Sequence, residues 1–339
     1  MITFICCSIK PTMADVLRQN IEMTLGDMPF ELIAFDNRET KYGICKVYNL
    51  CAERAKYDYL CFLHEDVQFN TTDWGRFIIN KLSDKGCGLI GFAGSQYKYS
   101  LLISPGWGAW TDISSLLRDN LIQHFKAGRN DNTVHAYRNP DKVDFAQVVT
   151  LDGLCIFVRK NVWEECKFDE VTFPGFHYYD VDFSIATAIN YTNYVCNIIE
   201  IEHFSEGSPS KEWEDAAVVG QKKWESKFPL MTADFRAKKY GDKEFMADIE
   251  YKTLINAMDR NYYFFDADRE LSSLARRYAG TKIGRKVWRH QLLYKESIKH
   301  KRIYLLHIIP ILTIVYYADR KWYRLFEVLP IWRSRRSQK

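Results

Sequence analysis

The first hundred residues alternate two periodicities, and this restricts the fold more than any other feature of the chain. "ITFICCS", "FELIAFDN", "YDYLCFLHEDV" and "CGLIGFAGS" are short apolar runs rich in β-branched and aromatic residues, which predicts strands. Between them, apolar residues recur at helical spacing across Thr12–Leu25, Gly43–Lys56 and Asp73–Asp84. Strands and helices alternating over short loops predict right-handed βαβ units in an α/β fold. Its core would be a mostly parallel sheet flanked by helices.

In such sheets ligands sit outside the carboxyl ends of the strands. The third run, "YLCFLHEDVQF", reads as a buried strand yet ends in His64, Glu65 and Asp66. Ser8 follows the first run, Asp36 and Asn37 the second, and Gly94 and Ser95 the fourth. Any one of these could cap a helix or shape a turn. Together they predict a ligand cleft along one sheet edge. Carboxylate oxygens suit Mg²⁺ or Mn²⁺, and Asp66 is the best single ligand. Strand alternation puts His64 on the same face as Asp66 and Glu65 on the other. An imidazole beside the carboxylate favours Mn²⁺ over Mg²⁺.

Farther along, "FHYYDVDFSIATAIN" carries Asp180 and Asp182 just before a helical pattern. The positive helix start would keep them ionised, so either could take a proton from an attacking hydroxyl. Asp182 reads equally well as a helix cap, which makes Asp180 the better base. His203 ends another apolar run, "YVCNIIEIEHF". A lone histidine there is more often structural, but convergence of the other elements on the same edge raises it to a metal-ligand candidate. The weakly periodic stretch Ser100–Asn139 contains "SPGWGAW", a substrate-facing loop in which Trp107 is the aromatic candidate.

The nine cysteines form no Cys-x-x-Cys pair and mostly sit in apolar runs, as buried thiols do, which points to a reducing, cytoplasmic compartment. "MITFICCS" begins strand-like, without the pattern of a secretion leader. Composition shifts near Ser210, so residues 1–210 are expected to form the catalytic domain and 211–339 a mostly helical region. From Thr281 onward there are 15 Lys/Arg against 3 Asp/Glu, leaving 32 against 40 before it. The basic surface is therefore C-terminal.

These segments, with "YNLCAERAKYDYLCFLHEDV", "LDGLCIFVRK" and "IIEIEHFSEGS", resemble the family 2 inverting glycosyltransferases. The likeness is strongest to a bacterial glycosyltransferase-like branch and spans about residues 1–210. The resemblance implies a nucleotide-diphospho-sugar transferase fold of the A type, a Rossmann-like parallel sheet with a small extra antiparallel part. It places Ser8, Asp36 and Asn37 near the donor nucleoside, with Asn49 and Glu65 on the donor side. Asp152, Gly153 and Trp107 fall on the acceptor side. His64-Glu65-Asp66 stands where the family has its Asp-X-Asp metal motif, with His in place of the first Asp. Asp180 matches the aspartate of the family's Glu-Asp base motif, with Tyr179 where the Glu is usual. His203 matches a histidine that reaches the metal or diphosphate.

The implied reaction is metal-dependent, hexosyltransferase-like transfer from a UDP- or GDP-sugar to a glycan or lipid-linked acceptor, with inversion, in cell-surface polysaccharide assembly. A catalytically silent sugar-nucleotide or glycan-binding module on the same fold is the alternative, suggested by the two altered motif positions. A nucleotidyltransferase is disfavoured, because no Gly-rich phosphate loop follows the first strand.

In the basic C-terminal region, the 16-residue apolar run Ile303–Ala318 is broken by His307 and Pro310. It falls short of the roughly 20 residues of a membrane span. With Trp322, Tyr323 and Trp332 beside it, the run suits an amphipathic anchor on the anionic inner face of the cytoplasmic membrane. The other reading is a helical hairpin packed on the catalytic domain. No nucleic-acid-reading motif accompanies the basic residues.

Overall fold

The computed structural model describes residues 1–99, 116–124, 133–204, 210–239, 242–259, 267–297, 300–305, 309–316, 320–325 and 329–335. They form two compact units, Met1–Lys238 and Lys239–Lys339.

The first unit opens with the expected alternation: β1 (Ile2–Ser8), α1 (Pro11–Thr24), β2 (Phe30–Asp36), α2 (Ile44–Arg54) and β3 (Tyr59–Leu63). The short β4 (Val67–Phe69) precedes α3 (Gly75–Leu82) and β5 (Cys87–Gly91). Next come β6 (Ala93–Ser95), β7 (Tyr97–Lys98), β8 (Leu117–His124), β9 (Thr133–Arg138), β10 (Phe145–Val148), β11 (Thr150–Leu151) and β12 (Cys155–Arg159). The unit closes with α4 (Lys160–Cys166), α5 (Tyr179–Ala188), β13 (Thr192–Cys196), β14 (Ile201–His203), α6 (Lys211–Lys223), β15 (Leu230–Met231) and α7 (Ala233–Lys239).

The main sheet has the order β10-β13-β5-β12-β3-β1-β2. β1 runs parallel to both β2 and β3, and β13 runs parallel to β5. β12 is antiparallel to β3 and β5, and β10 is antiparallel to β13. A second sheet follows the order β11-β6-β8-β14-β4, with β9 paired to β8. Gly94 and Ser95, expected at the carboxyl edge of the main sheet, lie instead in β6 of this second sheet.

Alternation along the central strands feeds two cores. Phe4 and Cys6 of β1, Cys61 and Leu63 of β3 and Phe157 of β12 face one side. Ile5, Leu60, Phe62, Ile156 and Val158 face the other. Both faces of the central strands are thus apolar, which explains their near-continuous hydrophobic runs. The polar residues that punctuate the sequence fall where the strands emerge.

The first unit runs past the composition change at Ser210. The Ser210 hydroxyl accepts the Trp213 N–H at 3.2 Å and caps α6, which has Glu212 and Glu214 in its first turn and Lys222 and Lys223 in its last. Lys223 lies 2.7 Å from the buried Asp182, Gln221 Nε2 donates to Tyr99 O at 3.1 Å, and β15 pairs with β7. The charged composition of this stretch belongs to the exposed face of a helix packed on the sheet domain.

In the second unit, α8 (Lys243–Asp259), α9 (Ala267–Arg277) and α10 (Lys282–Leu293) pack together. The buried Glu250 accepts hydrogen bonds from Arg277 (2.7 Å) and Tyr278 (2.9 Å). An antiparallel meander follows: β16 (Tyr294–Ser297), β17 (His300–Leu305), β18 (Ile309–Tyr316), β19 (Arg320–Leu325) and β20 (Leu329–Arg335). The helical reading of Ile303–Ala318 is corrected for its described residues, 303–305 and 309–316, which lie in β17 and β18. β-Branched and aromatic residues dominate this run and favour extended backbone, and Pro310 cannot sit inside a helix without a kink. Among the described residues no helix is long and apolar enough to cross a membrane.

Candidate active site

Three backbone ladders assemble the site. The His64 N–H donates to Leu154 O at 2.9 Å, carrying the β3–β12 ladder one step past Leu63. That puts His64 beside the Asp152-Gly153-Leu154 turn. The antiparallel β4–β14 pair sets His203 opposite Val67, and the Phe204 N–H donates to Asp66 O at 3.0 Å. The parallel β8–β14 pair sets Gln123 beside His203.

His64, Asp66 and His203 therefore converge. His203 Nε2 lies 3.4 Å from Asp66 Oδ1 and 3.4 Å from His64 Nδ1, and His64 Nδ1 is 3.9 Å from the same carboxylate oxygen. The ligand atoms of the three residues all lie within 4.8 Å of one another, so the group could hold a metal ion. Asp66 Oδ1 is buried and accepts no hydrogen bond, an arrangement that would cost about 1–3 kcal/mol if nothing met it. Two imidazole nitrogens and one carboxylate oxygen suit a first-row divalent cation, so the residues present fit the ion. Burial opposes ionisation of Asp66, but His203 and His64 outweigh it and hold the carboxyl below its usual range. Burial, and then the neighbouring His203, push the His64 imidazolium down.

Asp180 stands in the first turn of α5, one residue after Tyr179. Its Oδ2 accepts the Gly153 N–H at 3.0 Å, while the Tyr179 hydroxyl donates to Gly153 O at 3.2 Å and meets His64 Nε2 at 2.9 Å. Both polar groups of the Gly153 peptide unit are thus gripped by the start of α5. No side chain fits there, since a Cβ on Gly153 would lie 2.1 Å from the Tyr179 oxygen. Burial, and then the nearby Asp152 carboxylate, push the Asp180 carboxyl up to about 7. Asp152 Oδ1 accepts the Leu154 N–H at 2.9 Å, which shapes the turn carrying Gly153.

The remaining predicted residues divide into two groups. Ser8 and Asp36 end the paired strands β1 and β2. Ser8 donates to Glu65 Oε2 at 2.6 Å, and the Ile9 and Lys10 N–H groups reach the same carboxylate at 3.4 and 3.2 Å. Glu65 therefore points away from Asp66 and clamps the loop after β1. Asp36 is exposed and forked by Arg38, which holds its carboxyl below the usual range.

Asn37, Asn49 and Asp182 are engaged within the protein. The Asn37 amide bridges Thr40 and Tyr42 inside its own turn. The Asn49 amide is taken up by both backbone groups of Phe168 and by Trp163 Nε1. Asp182, 2% exposed, accepts Trp224 Nε1 at 2.7 Å besides pairing with Lys223, so it fastens α6 to α5. A carboxylate two residues from Asp180 in a helix points to a different side, a consequence of the 100° step per residue. Trp107 lies outside the described residues.

Two residues of this neighbourhood carried no signal in the sequence. Gln123 reaches His203 only through the β8–β14 register. Lys98 is buried in β7, and burial pushes its ammonium down to about 7 while the Asp180 carboxylate opposes the shift.

A mixed sheet whose strand β3 runs out beside His64 and Asp66, with Asp180 of α5 and His203 of β14 brought to the same place, defines an α/β domain of glycosyltransferase type. Residues 3–209 match the model of the glycosyltransferase-like family, and the chain belongs to that family. No curated protein matches the sequence. Among solved structures, the chain is similar to a mannosyltransferase from Pyrobaculum calidifontis, PcManGT, in complex with GDP-Man and Mn²⁺. That match has 10% identity, a TM-score of 0.44 and coverage of 85% of this chain and 78% of that one. It is also similar to GalNAc-T7 with UDP, GalNAc and Mn²⁺, at 10% identity, a TM-score of 0.43 and coverage of 96% and 65%. Residues 1–349 of S. aureus TarS in complex with UDP match at 12% identity, a TM-score of 0.37 and coverage of 90% and 96%.

Proposed function

We propose that the protein transfers a sugar from a nucleotide-diphospho-sugar to an acceptor hydroxyl in a single displacement with inversion. The observation that carries this reading is the link between a base and a cation site. Asp180, with a carboxyl near 7, and the His64–Asp66–His203 group are joined through Tyr179 and Gly153. A carboxylate poised near neutral pH is matched to removing a proton from a hydroxyl as it attacks. Asp180 Oδ1, not engaged by Gly153, is the atom assigned to receive that proton.

His64, Asp66 and His203 would hold a divalent cation, Mn²⁺ in preference to Mg²⁺ because two of three ligands are imidazoles. When bound, it supplies electrostatic stabilisation for the charge on the departing diphosphate. Ser8 and Asp36 face the nucleoside of a UDP- or GDP-sugar, and Asp152 and Gly153 line the acceptor side. Asn37, Asn49, Glu65 and Asp182 support this site through the fold. The acceptor is a glycan or a lipid-linked glycan of cell-surface assembly in a bacterium. The protein acts in the cytoplasm, with the basic C-terminal region resting on the anionic inner face of the membrane.

One geometric fact favours an enzyme over a silent binding module. The two positions that depart from the family pattern, His64 and Tyr179, touch each other at 2.9 Å. Their replacement reads as the exchange of one working pair for another rather than as decay.

The test is a thermal-shift screen of UDP-, GDP- and CMP-sugars with Mn²⁺, followed by transfer assays with the stabilising donor. The expected result is donor binding and turnover lost in Asp66→Ala, and turnover lost with binding retained in Asp180→Asn. Binding without turnover in the presence of varied glycan acceptors would establish the silent module. Absence of stabilisation by every donor would refute both readings. Sedimentation with anionic but not neutral vesicles tests the membrane contact.

A further inference from the structure

The hydrogen-bond partners around the two histidines favour particular protonated ring nitrogens. Gln123 Nε2 donates to His124 O at 3.0 Å and to His203 O at 3.4 Å, which orients the amide so that Oε1 faces His203 Nδ1 at 3.0 Å. An amide oxygen only accepts, so His203 carries its proton on Nδ1 and a lone pair on Nε2. On the other side, the Tyr179 hydroxyl lies 3.2 Å from Gly153 O, to which it donates, and 2.9 Å from His64 Nε2. With its proton directed to Gly153 O, the Tyr179 oxygen is free to accept from His64 Nε2–H, the arrangement that leaves the lone pair on His64 Nδ1.

In that arrangement of neutral rings, His64 Nδ1, His203 Nε2 and Asp66 Oδ1 meet with three electron pairs and no proton between them. The two ring nitrogens are 3.4 Å apart and Asp66 Oδ1 is buried without a hydrogen-bond partner, so a cation among the three would meet all of them. We propose that Tyr179 is a positioning residue for the cation site: its phenol locks His64 in the Nε2–H tautomer and thereby aims Nδ1 at the ion. This deepens the metal-assisted reading above and rests on it. It also gives the paired departures a single cause. An imidazole ligand needs a partner on its far nitrogen to fix its tautomer, and Tyr179, anchored to Gly153, supplies one. A site so built takes Mn²⁺, Co²⁺ or Zn²⁺ well ahead of Mg²⁺, which prefers oxygen ligands.

The experiment uses the full chain without any sugar nucleotide. Mn²⁺ and Mg²⁺ affinities are measured by calorimetry, Co²⁺ ligation by visible absorption, and the His64 tautomer by long-range ¹H–¹⁵N spectra of histidine-labelled, metal-free protein. Tyr179→Phe keeps the ring, which packs near Tyr48 and Phe168, and removes only the hydroxyl. The expected results are His64 as Nε2–H in the wild type, mixed tautomers in Tyr179→Phe, and a Mn²⁺ affinity about 10–100-fold weaker in that variant. Gln123→Leu should weaken Mn²⁺ similarly from the His203 side. An unchanged Mn²⁺ affinity in Tyr179→Phe overturns the proposal, as does a wild type that binds neither Mn²⁺ nor Co²⁺. His64 protonated on Nδ1 in the wild type overturns it as well, even if the variant does not fold. Because no donor is present, these outcomes stand apart from success or failure of sugar transfer.

Discussion

Replacing Asp180 by Asn should make the protein more stable and inactive at once, by amounts that both depend on pH. The Asp180 carboxyl is raised from 3.8 to about 7 in the fold, by burial and then by Asp152. Each unit of difference is worth about 1.4 kcal/mol. Allowing for its partial exposure, the ionised side chain opposes folding by on the order of 2–4 kcal/mol above pH 8. An acid whose folded pKa is raised contributes no such cost below its unfolded value near 4. The cost grows as pH rises through the interval up to about 7 and is constant beyond it. Asparagine is neutral throughout and still offers an oxygen to the Gly153 N–H. Thermal unfolding of both proteins from pH 4 to 9 should therefore show curves that coincide at pH 4. They should separate to roughly 5–10 °C in favour of Asn at pH 8. Over the same range, kcat/KM of the wild type should rise about tenfold per pH unit below 7 and then level, while Asp180→Asn loses about 10²–10⁴-fold. Parallel melting curves, or a kcat/KM profile flat through pH 6–8, would refute the assignment of Asp180 as a desolvated base.

Three further outcomes follow from particular contacts. Gly153→Ala drives a Cβ to 2.1 Å from the Tyr179 oxygen, so it should cost about 1–3 kcal/mol and disturb base and cation ligands together, read as loss of both Mn²⁺ binding and turnover. Lys223→Met strands Asp182, whose side chain is 4% exposed, and should destabilise the first unit by about 3 kcal/mol, measured by urea unfolding. An unchanged midpoint would mean that Asp182 is not the fastening of α6. Mn²⁺ at about 100 times its Kd should add roughly 2.7 kcal/mol of stability in the wild type and none in Asp66→Ala, checked by calorimetric melting with and without EDTA.

The elements that sequence reading located well are those whose signal is local. Pro11 at the start of α1 and the apolar rows of β1, β3 and β5 declare themselves within a few residues. Each of these strands is buried on both faces, so its apolar run needs no tertiary information to be recognised. The helical reading of the C-terminal apolar run failed for the complementary reason. Its β-branched residues satisfy either backbone, and pairing among β17, β18 and β19 decides between them.

The same division runs through the site. Its placement at the strand ends follows from the βαβ order, and the chemistry of His64, Asp66 and Asp180 follows from their side chains. Which of the neighbouring polar residues work there is a matter of register and helical phase. Asp182 differs from Asp180 by two positions and is turned toward Lys223, and Glu65 differs from Asp66 by one and is turned toward Ser8. Gln123 and Tyr179 become partners of the two histidines only because β8 pairs with β14 and α5 begins beside Gly153. The sequence by itself determined the layer of strands and helices and the edge on which the candidate site lies, because those depend on periodicity along the chain. Only the tertiary structure decided which ligand atoms meet at that edge and which carboxylate is pushed up to about 7, because both depend on distances between residues far apart in the chain.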